Sequence, residues 1–366
     1  MTWETYDLEL LTWTFTSGAD QKKAEIRVPS IRGEVRWWFR ALGGTPQEER
    51  TIFGGVHQDS PTASSVTFRL RQAIASNKAV NTDDLQIKMG QPLSYFLFPL
   101  RPIPNRSDQR RGLISPGTPQ SRFQLQVRFR RSVSPGLERR FRSAVEAWIL
   151  LGGLGSRSRR GMGSLWLHGD LLDGIALDSL DSFGKKLRSL AEQNRRMPRV
   201  MTLAPPAVGP DGWKEALKKA ESWLRSYRTG SSAFGQTPSK WGKNDHDAPL
   251  GSAQVVYRPV LGLPLEQRFR GGERLGFRTK HERFGDRWAS PLHLKVVRCG
   301  REYHPLAVFF PEHAMRESDR VRLEPTGRQG GQPRVLPVSR ELFLTMMREV
   351  PRGGRVLSEG KDVGRT

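Results

Sequence analysis

Apolar positions along the first half of the chain switch between two periods. From about Tyr6 to Phe15 they alternate with polar ones, through Leu11, Trp13 and Phe15, which predicts a strand. A polar loop, Thr16 to Pro29, follows. Ser30 stands where a helix N-cap belongs, and Ile31, Val35, Trp38 and Leu42 recur at helical spacing, which predicts a helix with one apolar face. Gly43-Gly44 ends it. Val66, Phe68 and Leu70 alternate with Thr67, Arg69 and Arg71, and Phe123, Leu125, Val127 and Phe129 with Gln124, Gln126, Arg128 and Arg130. Both runs predict strands with one apolar and one basic or polar face. After Pro135-Gly136 a second helix places Leu137, Phe141, Val145, Trp148 and Leu151 on one side, and a short strand, Ser164 to His168, closes the unit. A further strand is expected near Tyr95 to Phe98.

The order βαβ followed by βαβ predicts an open antiparallel sheet backed by two helices, the ferredoxin-like or RNA-recognition-motif arrangement. The face away from the helices is available to RNA in such folds, although the aromatic consensus of the RNA-recognition motif is absent. An acidic link, Asp170 to Asp181, suggests a domain border, giving 1–171, 172–350 and a flexible tail at 351–366. The second half carries predicted helices at Phe183 to Asn194, Trp213 to Tyr227 and Ser339 to Val350. Strands are expected at Leu292 to Arg298 and Leu306 to Phe310, and a loop from Arg228 to Leu250. That half is mixed α and β with no topology derivable from pattern alone.

Charge changes the picture most. A formal net charge of +23 on 366 residues favours a polyanionic partner, nucleic acid first. Of 60 basic residues 46 are Arg, the side chain suited to bidentate phosphate contact and base stacking, though an Arg-biased genome raises Arg without function. The stretch Arg101 to Arg131 holds eight Arg against one Asp, and reads either as an arm ordered by a partner or as a solvated insertion. The acidic N-terminus and the lack of a long apolar run predict a cytoplasmic chain with no membrane contact. A single cysteine, Cys299, and scattered histidines argue against an internal disulfide and a metal site.

Two segments carry the candidate chemistry. Gly152 to Gly163 packs Gly152, Gly153, Gly155, Gly161 and Gly163 around Ser156, Ser158, Arg157, Arg159 and Arg160, between a helix and a strand. Glycines let backbone N–H groups converge and a phosphate approach, and the arginines neutralise it. Some of the glycines also suit a helix cap and a tight turn. The loop lacks G-K-[ST] and the dinucleotide fingerprint, so no nucleotide cofactor is expected. Arg32, Arg36 and Arg40 line one side of the first predicted helix, and with Lys22, Lys23 and Arg27 form a basic stripe. Like charges at that spacing repel, so an anion or an acidic partner is expected nearby; Glu34 is a partial counter-charge. Candidates for acid–base catalysis, His57 with Asp59, and His281 and His293, are isolated residues of the kind that are usually structural.

Three segments together resemble a known family. Ser17-Gly18-Ala19-Asp20-Gln21, with Arg27-Val28-Pro29-Ser30-Ile31-Arg32-Gly33-Glu34-Val35-Arg36-Trp37-Trp38-Phe39-Arg40-Ala41-Leu42 and then Ile52-Phe53-Gly54-Gly55, is similar to the N-terminal signature of subunit one of type III-B CRISPR (Cmr) complexes. The Gly152 to Gly163 loop resembles the glycine-rich loop of the wider RAMP superfamily, and Arg287 to Lys295 resembles a C-terminal segment of the family. The resemblance implies two tandem ferredoxin-like domains of α+β class. It also implies a place at the head end of an antiviral ribonucleoprotein, near the 3' part of the crRNA and its target RNA, beside other RAMP subunits. It implies target cutting by a different, repeated backbone subunit, whose catalytic aspartate lies where this chain has Asp20. Asp20 is therefore expected to be structural or RNA-positioning. The rival reading is a metal-independent repeat-processing endoribonuclease of the same superfamily, in which the glycine loop lies near the C-terminus and a histidine base near the N-terminus. A general RNA chaperone is a third reading, motivated by charge alone.

Overall fold

In the computed structural model, which describes residues 2–57, 60–103, 110–169, 176–230, 237–251, 253–268, 276–326 and 332–362, the first half of the chain builds a four-stranded antiparallel sheet. Its strands are β1 (Glu4–Leu10), β2 (Val66–Leu70), β3 (Arg122–Phe129) and β4 (Leu165–His168), in the spatial order β4-β1-β3-β2. Register sets Tyr6 against Leu125 and Leu8 against Phe123, so the even positions of β1 and the odd positions of β3 share one buried face. Helices α1 (Val28–Ala41) and α3 (Pro135–Leu151) cover it, packing on each other and, respectively, on β2 and β4. Ile31, Val35 and Trp38 from α1 and Phe141, Val145 and Trp148 from α3 are fully buried. Each such side chain contributes about 1.5–3 kcal/mol of burial.

Several boundaries differ from the sequence expectation for identifiable reasons. Helix α1 starts before Ser30, because Pro29 fits the first turn, where its fixed φ and missing N–H cost nothing. A short helix, α2 (Pro46–Phe53), was not expected. It is opened by a capping box in which the Thr45 hydroxyl accepts from the Glu48 N–H and the Glu48 carboxylate accepts from the Thr45 N–H. The first predicted strand is broken: Thr14–Phe15 pairs separately with Arg111–Ile114. That pairing also gives the arginine-rich stretch a strand, while its residues 104–109 lie outside the described ones.

A second sheet follows helix α4 (Leu180–Gln193). It contains β5 (Arg196–Thr202), β6 (Leu292–Cys299), β7 (Glu302–Phe309) and β8 (Val356–Asp362), and helix α5 (Gly212–Arg228) comes after β5 in the chain. The order runs β7-β5-β8, with β6 also paired to β7. Strand β8 is a correction, because it occupies the expected tail. It pairs antiparallel with β5 and buries Leu357, so its backbone groups are satisfied by the sheet. Tyr95 to Phe98 is likewise not a strand. The buried Glu221 carboxylate of α5 accepts the N–H groups of Leu93, Tyr95 and Phe96 at 2.5, 2.8 and 3.1 Å, which a strand would have offered to a neighbour.

The chain divides into two compact units. The first takes residues 1–221, 293–308 and 352–366 and holds both sheets; the second takes 222–292 and 309–351. The division does not follow the acidic link, of which residues 170–175 lie outside the described ones, because β6, β7 and β8 return to the first unit to pair around β5. The second unit has its own antiparallel sheet, ordered Leu265–Arg268, Gly276–His281, Arg320–Pro325, Arg334–Pro337, and the helix Glu341–Arg348. Part of the loop expected at Arg228 to Leu250 is a helix, Lys240–Asp247, because Ser239 caps it by accepting from the Gly242 N–H at 2.8 Å.

Candidate nucleic-acid interface

The glycine-rich loop is bound tightly into the first unit. Gly163 has φ +62° and faces the Leu154 carbonyl, and Gly161 has φ +80° and lies against Leu217, so neither position accepts a side chain. The Thr12 hydroxyl donates to the Gly161 carbonyl at 2.7 Å and accepts the Ser164 N–H at 3.0 Å. Trp148 Nε1 donates to the Gly153 carbonyl at 3.1 Å. These bonds hold the loop from below, and they leave Ser156 exposed at its tip and Gly155 half-buried.

Its arginines have internal partners. Arg157, at φ +63°, donates from Nε to the Phe96 carbonyl at 2.7 Å. The Arg159 guanidinium lies 5.6 Å from the Trp37 ring centroid. Burial pulls its pKa down, opposed by the charge of Glu34, while burial pushes the Glu34 carboxyl up, opposed by Arg159. The Arg160 side chain donates to the Arg159 carbonyl at 3.1 Å.

The arginines of α1 turn to α2. Arg32 bonds the Phe53 carbonyl, and Arg36 and Arg40 share the Glu49 carboxylate, which Arg40 reaches at 2.7 Å. The acidic partner that the stripe required is therefore Glu49, a buried residue of the unexpected helix, and not Glu34. Arg36 and Arg40 keep 40% and 47% of their side chains exposed, so their charge is shared with solvent.

A different face of α1 meets the loop. A groove of about 490 Å³ is lined by Phe15 to Ser17 and Gln21, by Pro29, Ser30, Gly33 and Glu34 of α1, and by Leu154 to Ser156 of the loop. Gly33 lies about 100° around the helix from Arg32, which separates the groove from the arginine stripe. Exposed Lys22, Lys23 and Arg27 belong to the segment between Gln21 and Pro29, with Arg27 3.3 Å from Glu25. The groove thus combines small side chains and glycine backbone, with three exposed cations in the adjoining segment of the chain, which suits an extended polyanion.

A family model for the RAMP superfamily matches residues 7–166, which contain all of these segments. The chain is 32% identical over 174 residues to CRISPR system Cmr subunit Cmr1-2 of Pyrococcus furiosus, covering 44% of this chain and 92% of that protein. The chain belongs to the Cmr1 family of the RAMP superfamily. A second Cmr1 relative of Pyrococcus furiosus, Cmr subunit Cmr1-1, is 26% identical over 327 residues, covering 84% of this chain and 87% of that one. The crystal structure of apo Cmr1 from the same organism has a TM-score of 0.56 at 19% identity, over 98% of this chain and 99% of that one, and shares the mixed α+β fold.

In this Cmr1 family member Asp20 shapes a turn: its carboxylate accepts the Lys22 N–H at 2.9 Å and its carbonyl the Lys23 N–H at 3.3 Å. His281 is buried, stacks on Trp288 at 5.1 Å, and accepts the N–H groups of Arg283 and Phe284 through Nδ1. His293 is buried with its ring 4.9 Å from Trp37. For His57 and Asp59, residues 58–59 and the His57 side chain lie outside the described parts. Among the described residues no cluster of His, Cys, Asp and Glu suits a metal, and no helix is long and apolar enough to cross a membrane.

Sequence reasoning missed Lys295. Its Nζ, on a side chain 1% exposed, donates to the carbonyls of Ile149 and Gly152, the latter at 2.9 Å, and so closes the C-terminal end of α3 where the glycine loop begins. A lysine between Leu294 and Val296 in a strand of apolar residues was the available signal.

Proposed function

We propose that this chain is a non-catalytic RNA-binding subunit of a type III-B CRISPR effector complex, acting in antiviral defence. On this reading it sits at the head end of the complex, beside other RAMP subunits, and contacts the 3' region of the crRNA and the target RNA. The chain would then carry two tandem ferredoxin-like domains, 1–171 and 172–350, a reading supported for the first by the β4-β1-β3-β2 order. The observation that carries the RNA reading is the groove between α1 and the glycine loop, with Lys22, Lys23 and Arg27 beside it. Small side chains and glycine backbone there give a sugar–phosphate chain room to lie close without its sequence being read.

Gly33 supplies a clean test, because a Cβ there meets nothing within 4 Å. Gly33→Glu places a carboxylate in the groove while the fold stays intact. Its binding to guide RNA should weaken at every salt concentration, and Lys22→Ala/Lys23→Ala/Arg27→Ala should lower the log-log salt slope by up to roughly 2. Wild-type affinity in both variants would remove the groove from the RNA path. Incubation with repeat RNA without metal should leave the RNA whole; specific cleavage would favour the endoribonuclease reading.

A further inference from the structure

The open face of the first sheet carries positive charge that the chain does not neutralise. Because side chains alternate along a strand, the face turned from α1 and α3 presents Trp3, Thr5 and Asp7, Arg69 and Arg71, and the even-numbered positions of β3. Arg69 donates from Nε and Nη2 to Gln126 Oε1 at 3.0 and 2.6 Å, and Gln126 Nε2 donates to Thr5 at 3.1 Å. Arg71 donates to Gln124 Oε1 at 3.0 Å. The guanidinium carbons of Arg69 and Arg128 lie 4.4 and 4.6 Å from the Trp3 ring centroid. Among the described residues, no ion pair joins Arg69, Arg71, Arg122, Arg128 or Arg130 to a carboxylate.

Amide oxygens and an indole ring hold these guanidinium groups in place without cancelling their charge, and each keeps N–H donors to spare. At one end of the face Asp7, Arg71, Arg122 and Gln124 border a cavity of about 400 Å³. We infer that this sheet face is a second RNA-binding surface, separate from the groove, that takes single-stranded RNA by guanidinium–phosphate contacts and by stacking of bases on Trp3 and its flanking guanidinium planes. The inference rests on the reading that the protein binds RNA. Preorganised cations around an indole suit unpaired bases and phosphates.

The test titrates a labelled oligouridylate against wild type, Trp3→Ala, the triple variant Arg69→Gln/Arg71→Gln/Arg128→Gln, and Gly33→Glu, each over a range of salt. Trp3→Ala should bind about tenfold more weakly with an unchanged salt slope. The triple variant should lose roughly 2 from the log-log slope, and the corresponding Arg→Lys triple should restore the slope but not the full affinity, since lysine lacks the planar fork. If the triple variant binds as wild type while Gly33→Glu is impaired, the sheet-face inference is wrong and the RNA-binding reading stands. If wild type binds at no salt concentration, both are wrong. A triple variant that binds RNA normally yet no longer assembles with other subunits makes the face a protein contact and overturns the inference.

Discussion

Replacing Lys295 with Met should destabilise the first unit at high pH, and by less as the pH falls. The side chain is buried and donates to two carbonyls at the end of α3 that no later helical N–H can reach. Burial pushes its pKa well below the ordinary lysine value, which favours the neutral amine; two N–H groups remain on that amine, enough for both acceptors. Methionine fills a similar volume but leaves both carbonyls unpaired at about 1–3 kcal/mol each, offset in part by the removal of a desolvated polar group, so a net loss of about 2–4 kcal/mol is expected at the high-pH limit. The pH dependence has a definite sign. Between the folded pKa and the unfolded value near 10.4 the unfolded chain binds more protons, so the lysine's contribution is complete above that value and lost as pH falls toward the folded pKa. Each unit in that window is worth up to about 1.4 kcal/mol. Urea denaturation of wild type and Lys295→Met between about pH 6 and 10 should therefore show a gap that widens with pH. Hydrogen exchange at Gly152 to Gly163 should accelerate in the variant, because Lys295 Nζ also holds the start of that loop. A gap that is zero, or constant across the range, would refute the assigned role and protonation state.

Three further changes test the framework around the loop. Glu49→Ala should cost about 1–2 kcal/mol in chemical denaturation and steepen the salt dependence of RNA binding, because Arg36 and Arg40 lose their shared carboxylate while remaining partly exposed. Glu221→Ala strands three backbone N–H groups of residues 93–96 and should cost about 3–5 kcal/mol; a loss below about 1 kcal/mol would show that another acceptor replaces it. Gly163→Ala should cost about 2–4 kcal/mol through its left-handed backbone and the facing Leu154 carbonyl, whereas Gly33→Ala, mid-helix and open, should stabilise by up to about 1 kcal/mol; equal melting temperatures for the two would contradict the geometry.

The parts legible in the sequence are those written in one element. Ile31, Val35 and Trp38 declare the buried side of α1 by spacing alone, and the alternation in β2 and β3 separates their buried from their open sides. What depends on a second element was hidden. The Arg36 and Arg40 pair with Glu49 requires α2, whose Thr45-Pro46-Gln47-Glu48 start is a readable capping signal but an easily missed one in a helix this short. The unmade strand at Tyr95 to Phe98 depends on Glu221, distant in sequence, capturing its N–H groups. Strand β8 looked like a tail because Ser358, Glu359, Gly360 and Lys361 are polar, yet pairing with β5 satisfies its backbone whatever its side chains are. The groove needed three segments brought together, and only two of them, the loop and the start of α1, were recognised as candidates.

The partners of the arginines bear on what the glycine loop does. A phosphate that engaged Arg36 or Arg40 would have to compete with Glu49 for the guanidinium charge. Hydrogen bonds to charged groups contribute about 1.5–3 kcal/mol each, so much of the gain from a new phosphate contact would be cancelled by the bond it breaks. No such exchange is needed at the arginines of the sheet face, whose amide partners can stay in place while a phosphate takes the remaining donors. The excess of +23 therefore does not act as one field of equivalent charges. Arginines on α1 and the loop bond α2, Trp37 and the segment at Phe96. On this argument the loop serves RNA through its shape, and the charge that retains an RNA strand lies beside the groove and across the open sheet.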